Sequence, residues 1–321
     1  DDSEAHFQVK LYTGNSDHYV TGDSQAITFD GSEDMSPNLV WLKSRTQGST
    51  GYAGNNCLFD SVRGTTKYNE ADSAAAEKTQ SGVTAFGSDG FTVGPYDIMN
   101  NSGDAFVAWC WKESADAGFD IVSFTGNETA RTQAHSLSAV PHMIAVKNRE
   151  TGDDWVVYHH KNTSAPETDY LSFHDNGATA DYPIWNDTAP TSSVFSVGSS
   201  TAVNDDTGMI AYLWSEKQGF SKFGSYTGNG NADGPFIYTG FRPAWVMVKK
   251  TSSTGHWMII DNKRSASGGF NVLGERLKAN ATDAGSTDTY QDHLSNGFKL
   301  RTTASSWNDS AGTYIYIAFA E

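Results

Sequence analysis

The stretch Asn229-Gly-Asn231-Ala-Asp233-Gly234 sets oxygen-bearing side chains at alternate positions and glycine at the sixth, which is how a calcium-binding EF-hand loop begins. The bidentate glutamate due at the twelfth position is Gly240, and no helical pattern flanks the stretch. It therefore reads as an Asn/Gly turn. It also misses the dinucleotide-binding G-x-G-x-x-G by one residue and lacks the strand–helix context. Asn204-Asp205-Asp206 and Asn308-Asp309 offer carboxylates to a cation. Asn and Asp ahead of glycine are more simply turn residues, since Asn and Gly tolerate positive φ. His159 and His160 are adjacent, and neighbours on a strand point to opposite faces, so they are not expected to share a metal. No Cys/His spacing suits zinc, and no G-x-S-x-G elbow occurs. A glycosidase needs two carboxylates at a set separation, and among 38 acidic residues nothing singles out a pair. No catalytic residue, metal or cofactor is expected. Exposed aromatic rings are the usual platform for stacking sugars. Trp185 in "YPIWNDT" and Trp307 in "SSWNDS" interrupt polar loops and are the candidate ligand-binding residues. Trp155 and Trp257 occupy matched positions and are expected in the core.

That matching is part of a wider repetition. Thr-Gly-Asn begins at Thr13, Thr125 and Thr227. A proline then leads an apolar run to lysine, at Pro37–Lys43, Pro141–Lys147 and Pro243–Lys249. "CLFD", "WVVYH" and "WMIID" follow, then Phe91-Thr-Val93, Phe195-Ser-Val197 and Phe298-Lys-Leu300, then Asn-rich turns from Asn101, Asn204 and Asn308. Each copy closes on an apolar strand and a glutamate: Glu113, Glu216 and Glu321. A glutamate present in every copy points to structure rather than to one catalytic centre. The spacing predicts three modules, 1–113, 114–216 and 217–321. Joints as short as "SADAGF" and "KQGF" predict close packing between them.

The apolar runs are five to seven residues long, rich in Val, Ile and aromatics, and bounded by Gly, Asn, Asp and Ser, which are strand signals. "TYIYIAF" is apolar on both faces and reads as a central strand. The one helix candidate is "ADSAAAEK" at 71–78. The expected fold is all-β: three tandem antiparallel β-sandwich modules, jelly-roll-like, of about 100 residues each. The alternative is a β-propeller with two blades per repeat. A chain of 321 residues can bury a sizeable core in each of two or three domains.

The net charge is −16. An acidic surface repels phosphate backbones and anionic lipid, so neither nucleic acid nor a membrane surface is an expected partner. No run of about 18 apolar residues is present to span a membrane. Cys57 and Cys110 are too few for a disulfide framework and read as buried thiols, with a single bridge as the alternative.

"LFDSVRG" (58–64), "SDGFTVG" (88–94), "VAWCWK" (107–112), "FGSYTGNGNADGPFIYTGFRP" (223–243), "LSNGFKLR" (294–301) and "YIYIAFAE" (314–321) resemble a repeated domain found in tail, fibre and related structural proteins of bacteriophages, many of them marine. The second copy departs most, with "WVVYHHKNTS" where the first has "LFDSVRG". The resemblance implies a non-enzymatic virion component exposed to the extracellular medium. Its partners would be other virion proteins and a host-surface glycan or protein, and it could be an oligomer. A secreted carbohydrate-binding array and a polysaccharide depolymerase are the competing expectations.

Overall fold

The computed structural model describes residues 2–16, 23–46, 54–264 and 271–320. Among these, all neighbouring strands pair antiparallel, and the α-helices are single turns at Asp97–Asn100, Thr201–Asn204 and Ser305–Asn308. The helix expected over 71–78 does not form. Those residues make a turn that runs into the strand Lys78–Thr79. A two-turn stretch with no apolar stripe has no face to bury, so nothing offsets the cost of helix nucleation.

Three large sheets carry the fold, and one strand order occurs in all of them. An opening strand (Phe7–Thr13, Phe119–Thr125, Ser221–Thr227) pairs with a closing strand (Ala105–Trp111, Gly208–Trp214, Thr313–Phe319). Next come a lysine strand (Leu39–Ser44, Met143–Asn148, Trp245–Lys250), a corner strand (Asn56–Asp60, Val156–His159, Met258–Asp261) and an outer strand (Lys67–Glu70, Asp169–Ser172, Leu273–Lys278). The first two sheets have six strands. The third runs on to eight and ends at Phe236–Tyr238. It curls back on itself, so that Phe298 in its seventh strand meets Tyr316 at 5.3 Å between ring centroids. These widths do not fit the four-stranded blades that a propeller would need.

In the first sheet, Val40, Leu42, Phe106, Ala108 and Cys110 face a smaller sheet (Gln25–Thr28, Gly90–Val93, Val83–Phe86) and share its core. The alternate residues Leu39, Trp41, Val107, Trp109 and Trp111 face the other way, into a core drawn from all three sheets. The second sheet divides its residues in the same manner, with Arg131–Ala134 and Val194–Val197 as its smaller partner. Both faces of these central strands are dry, which explains why their sequences do not alternate with polar residues. The outer layers are separate, but the inner faces merge. At the meeting point Trp111 lies 6.4 Å from Trp214, 5.8 Å from Trp245 and 5.7 Å from Phe319.

Polar contacts join the three sheets in cyclic order. Lys147 reaches the Ala74 carbonyl at 3.0 Å, Lys249 the carbonyls of Asn176 and Gly177, and Lys43 the Ala281 carbonyl at 2.9 Å. Beside these, the Trp155 indole donates to the Glu70 carbonyl and the Trp257 indole to the Ser172 carbonyl, each at 2.8 Å. Asn56 fills that place at the third junction, donating to the carbonyls of Lys278 and Ala281. The last junction joins stretches far apart in the chain, so the arrangement closes as a ring rather than extending as a rod.

The Thr-Gly-Asn phrase sits where each opening strand ends. The buried side chains of Asn100, Asn204 and Asn308 accept from the backbone N–H of Asn15, Asn127 and Asn229 at 3.1, 3.2 and 2.8 Å. The residue of the first sheet that makes this bond is therefore Asn100, not Asn101. Glycine is required because a Cβ on Gly14, Gly126 or Gly228 would lie 1.8–2.3 Å from a carbonyl oxygen of the facing loop.

Candidate functional site

Neither candidate tryptophan is a surface platform. Trp185 is 2% exposed, stands edge-on to Tyr158 at 5.9 Å, and donates its indole N–H to the Asp169 carbonyl. Trp307 is fully buried and stacks on Tyr290 at 5.5 Å. Both ends of a polar loop can be wet while a large ring between them turns inward, because burying it removes far more apolar area from water than its neighbours cost. Trp155 and Trp257 are buried, as their matched positions imply.

The Asn229–Gly234 oxygens are already engaged. Asn229 and Asn231 accept from backbone N–H groups two residues on, and Asn308 donates to the side chain of Asn229 and the carbonyl of Asn231. Asp233 pairs with Lys299 at 2.7 Å. Asp205 accepts from Asn148, and Asp309 pairs with Lys250 at 2.7 Å. Among the described residues no group of three His, Cys, Asp or Glu side chains is arranged to hold a metal. Cys57 and Cys110 are free buried thiols in one core, and burial raises the pKa of both.

Buried ion pairs and a buried histidine instead lie where the sheets meet. Asp60 and Arg63 form a fully buried ion pair at 2.5 Å, and the Tyr212 hydroxyl of the second sheet donates to Asp60 at 2.7 Å. Asp261 and Arg264 form the counterpart pair at 2.6 Å. The Trp109 indole donates to Asp261, and the Arg264 guanidinium lies 5.7 Å from the Trp109 ring centroid. The second sheet has His159 and Asn162 there, and burial holds His159 well below the usual histidine range. His159 and His160 are not separated as adjacent strand residues would be, because the strand ends at His159. Their rings lie 5.4 Å apart, with His142 a further 4.4 Å from His160. Burial lowers His160 to about 4. Lys43, Lys147 and Lys249 are each lowered to about 8, chiefly by burial.

The closing glutamates sit at the joints. Glu113 is raised to about 7, first by burial and then by a hydrogen bond with the Asp120 side chain. The Ile121 N–H also donates to Glu113, at 3.2 Å. Glu216 instead pairs with Lys222 at 2.6 Å. Glu321 lies outside the described residues. The two described joints thus differ in charge: an acid pair at one, an ion pair at the other.

The large exposed aromatics among the described residues are Tyr182, Phe236 and Tyr238, the last at 63%. Tyr238 borders an open cleft of about 430 Å3 that the Glu216–Lys222 joint also lines. Ile237 anchors the strand in the core and leaves Phe236 and Tyr238 on its outer face. In the sequence, "FIYTG" reads only as a strand. The period-two pattern does show that Phe236 and Tyr238 share a face, but not that the face is wet. A family model described as a domain of unknown function (DUF7483) matches residues 2–321. The chain belongs to this family. No curated protein matches it. The match spans the three large sheets and the three α-helical turns among the described residues of this DUF7483 chain.

Proposed function

We propose that this protein is a non-enzymatic structural component of a bacteriophage particle, in a tail fibre, tail or surface appendage. In this reading three tandem β-sandwich modules, 1–113, 114–216 and 217–321, close into a compact ring that presents its outer loops to the medium. One observation carries the reading: the polar residues that recur in the sequence are spent in recurring inter-sheet contacts. Lys43, Lys147 and Lys249 are enclosed by carbonyls, and the Asp60–Arg63 and Asp261–Arg264 pairs are sealed from solvent. Buried groups of this kind specify an assembly geometry and cannot meet a substrate. The acidic surface suits a particle dispersed in a saline medium. Partners are other virion proteins and, through the loops, a host-surface glycan or protein. Electron microscopy of particles carrying a labelled copy of the chain tests the proposal: the label should decorate a tail or appendage, and absence of the chain from purified particles ends it.

The second reading is a secreted carbohydrate-binding array, favoured by exposed Tyr238 beside a cleft with polar walls. Glycan binding by a chain that never enters particles would select it. A depolymerase would use a protonated carboxyl such as Glu113 beside Asp120. Release of reducing ends from a host polysaccharide, lost in Glu113→Gln, would select that activity.

A further inference from the structure

We infer that the cleft between the 216–222 joint and the 236–240 loop binds a neutral saccharide, with Tyr238 as its stacking platform. This deepens the proposed surface recognition and rests on that reading. Tyr238 is well held for such a role. Its neighbour Ile237 is buried, and the N–H groups of Thr239 and Gly240 both donate to the Asn296 carbonyl, at 3.0 and 3.2 Å. The Thr239 hydroxyl donates to the Phe241 carbonyl. Gly240 sits at φ +89°, and a Cβ there would come within 3.6 Å of the Tyr238 hydroxyl, so the hydroxyl end of the phenol ring lies beside bare backbone. A ring carried on backbone fixed in this way, with only its own two torsions free, offers a flat apolar face at modest entropic cost on binding.

The opposite wall selects the ligand class. Glu216 and Lys222 are partly exposed and neutralise one another at 2.6 Å, and Gln218 and Ser221 line the cleft beside them. Carboxylate, ammonium, amide and hydroxyl groups together donate to and accept from hydroxyls. Because Glu216 and Lys222 cancel, this wall leaves no unpaired charge to attract an anion or a cation. A ligand with one apolar face and many hydroxyls matches both walls, and the volume is within the range of small-molecule sites. The joint after the first sheet is built differently: there Glu113 faces Asp120 rather than a lysine.

The test is a glycan array probed with the full chain, followed by titration with the best neutral oligosaccharide. Neutral hexose or N-acetylhexosamine glycans should bind. Tyr238→Ala should weaken binding about tenfold or more, with an unchanged melting temperature because the side chain is exposed. Phe236→Ala, which removes an exposed ring not bordering the cleft, should bind as the parent does. No binding, binding confined to charged glycans, or binding retained by Tyr238→Ala each overturns the inference. These outcomes are separate from the virion assay. A chain that decorates particles but binds no glycan keeps the structural role and loses the site. A chain that binds glycan through Tyr238 but is absent from particles does the reverse.

Discussion

The corner after the corner strand is built in two ways in this molecule. At Asp60–Arg63 and Asp261–Arg264 a carboxylate and a guanidinium are buried together, with the arginine backbone N–H also donating to the aspartate at 2.8 and 2.9 Å. At His159–Asn162 the backbone turns through the Asn162 N–H donating to the His159 carbonyl at 2.9 Å, and neither residue brings a carboxylate. All three corners meet a neighbouring sheet: Tyr212 at the first, Trp109 at the third, and Phe223, whose ring lies 6.3 Å from His159, at the second. Burying an ion pair costs desolvation that good geometry only just repays, whereas a neutral imidazole avoids that cost. The charged corners therefore add little net stability, and the neutral corner makes the second junction responsive to acid.

The largest expected effect comes from unpairing a charged corner. Arg63→Met or Arg264→Met leaves a buried carboxylate without its partner and should cost about 3–5 kcal/mol in denaturant unfolding. Asn162→Ala removes no charge, and a loss as large as that of Arg63→Met would erase the distinction between the corners. Next are the enclosed lysines. Lys147→Met strips donors from the carbonyls of Ala74, Asn148 and Asp153 and should cost about 1–3 kcal/mol. The folded-state pKa of the three enclosed lysines lies at about 8, against 10.5 for an ordinary lysine. The unfolded chain therefore binds more protons between those values, and stability should rise with pH across that window. Lys147→Met should flatten part of the rise in a melting-temperature series.

The joints respond to acid in opposite senses. His160 titrates at about 4 when folded and near 6.5 when unfolded. Its contribution is present above 6.5 and is lost as pH falls toward 4. His142 is lowered in the same direction, chiefly by burial. Glu113 is raised to about 7 from 4.5, so its contribution is full below 4.5 and is lost as pH rises through 7. His160→Asn should reduce the loss of stability on acidification, and Glu113→Gln should reduce the loss on going from about pH 5 to 8. Hydrogen exchange resolved along the chain would place the first effect at the 217–223 joint and the second at 114–121. The smallest effect concerns the Thr-Gly-Asn turn. The Tyr12 and Tyr226 hydroxyls donate to the carbonyls of Met99 and Trp307 at 2.6 and 2.7 Å, while the opening strand of the second sheet has Phe124. Phe124→Tyr should stabilise by about 1 kcal/mol through the missing hydrogen bond, and a neutral or destabilising result would show that the second turn is not equivalent.

Strand positions, the Thr-Gly-Asn turn and the burial of Trp155 and Trp257 are all readable in the sequence. Each rests on local chemistry: apolar period, glycine next to a close backbone approach, an aromatic in a β-rich run. The Lys-ended runs are visible as well, but not their carbonyl partners 73 and 238 residues away. Only the tertiary structure decided which aromatics are wet. Trp185 and Trp307 sit among polar neighbours and turn inward, whereas Phe236 and Tyr238 belong to a strand and face out. The reason is that burial depends on which surfaces the sheets place opposite one another. Closure of the ring brings the first and third sheets together across most of the chain, and no local pattern encodes that meeting.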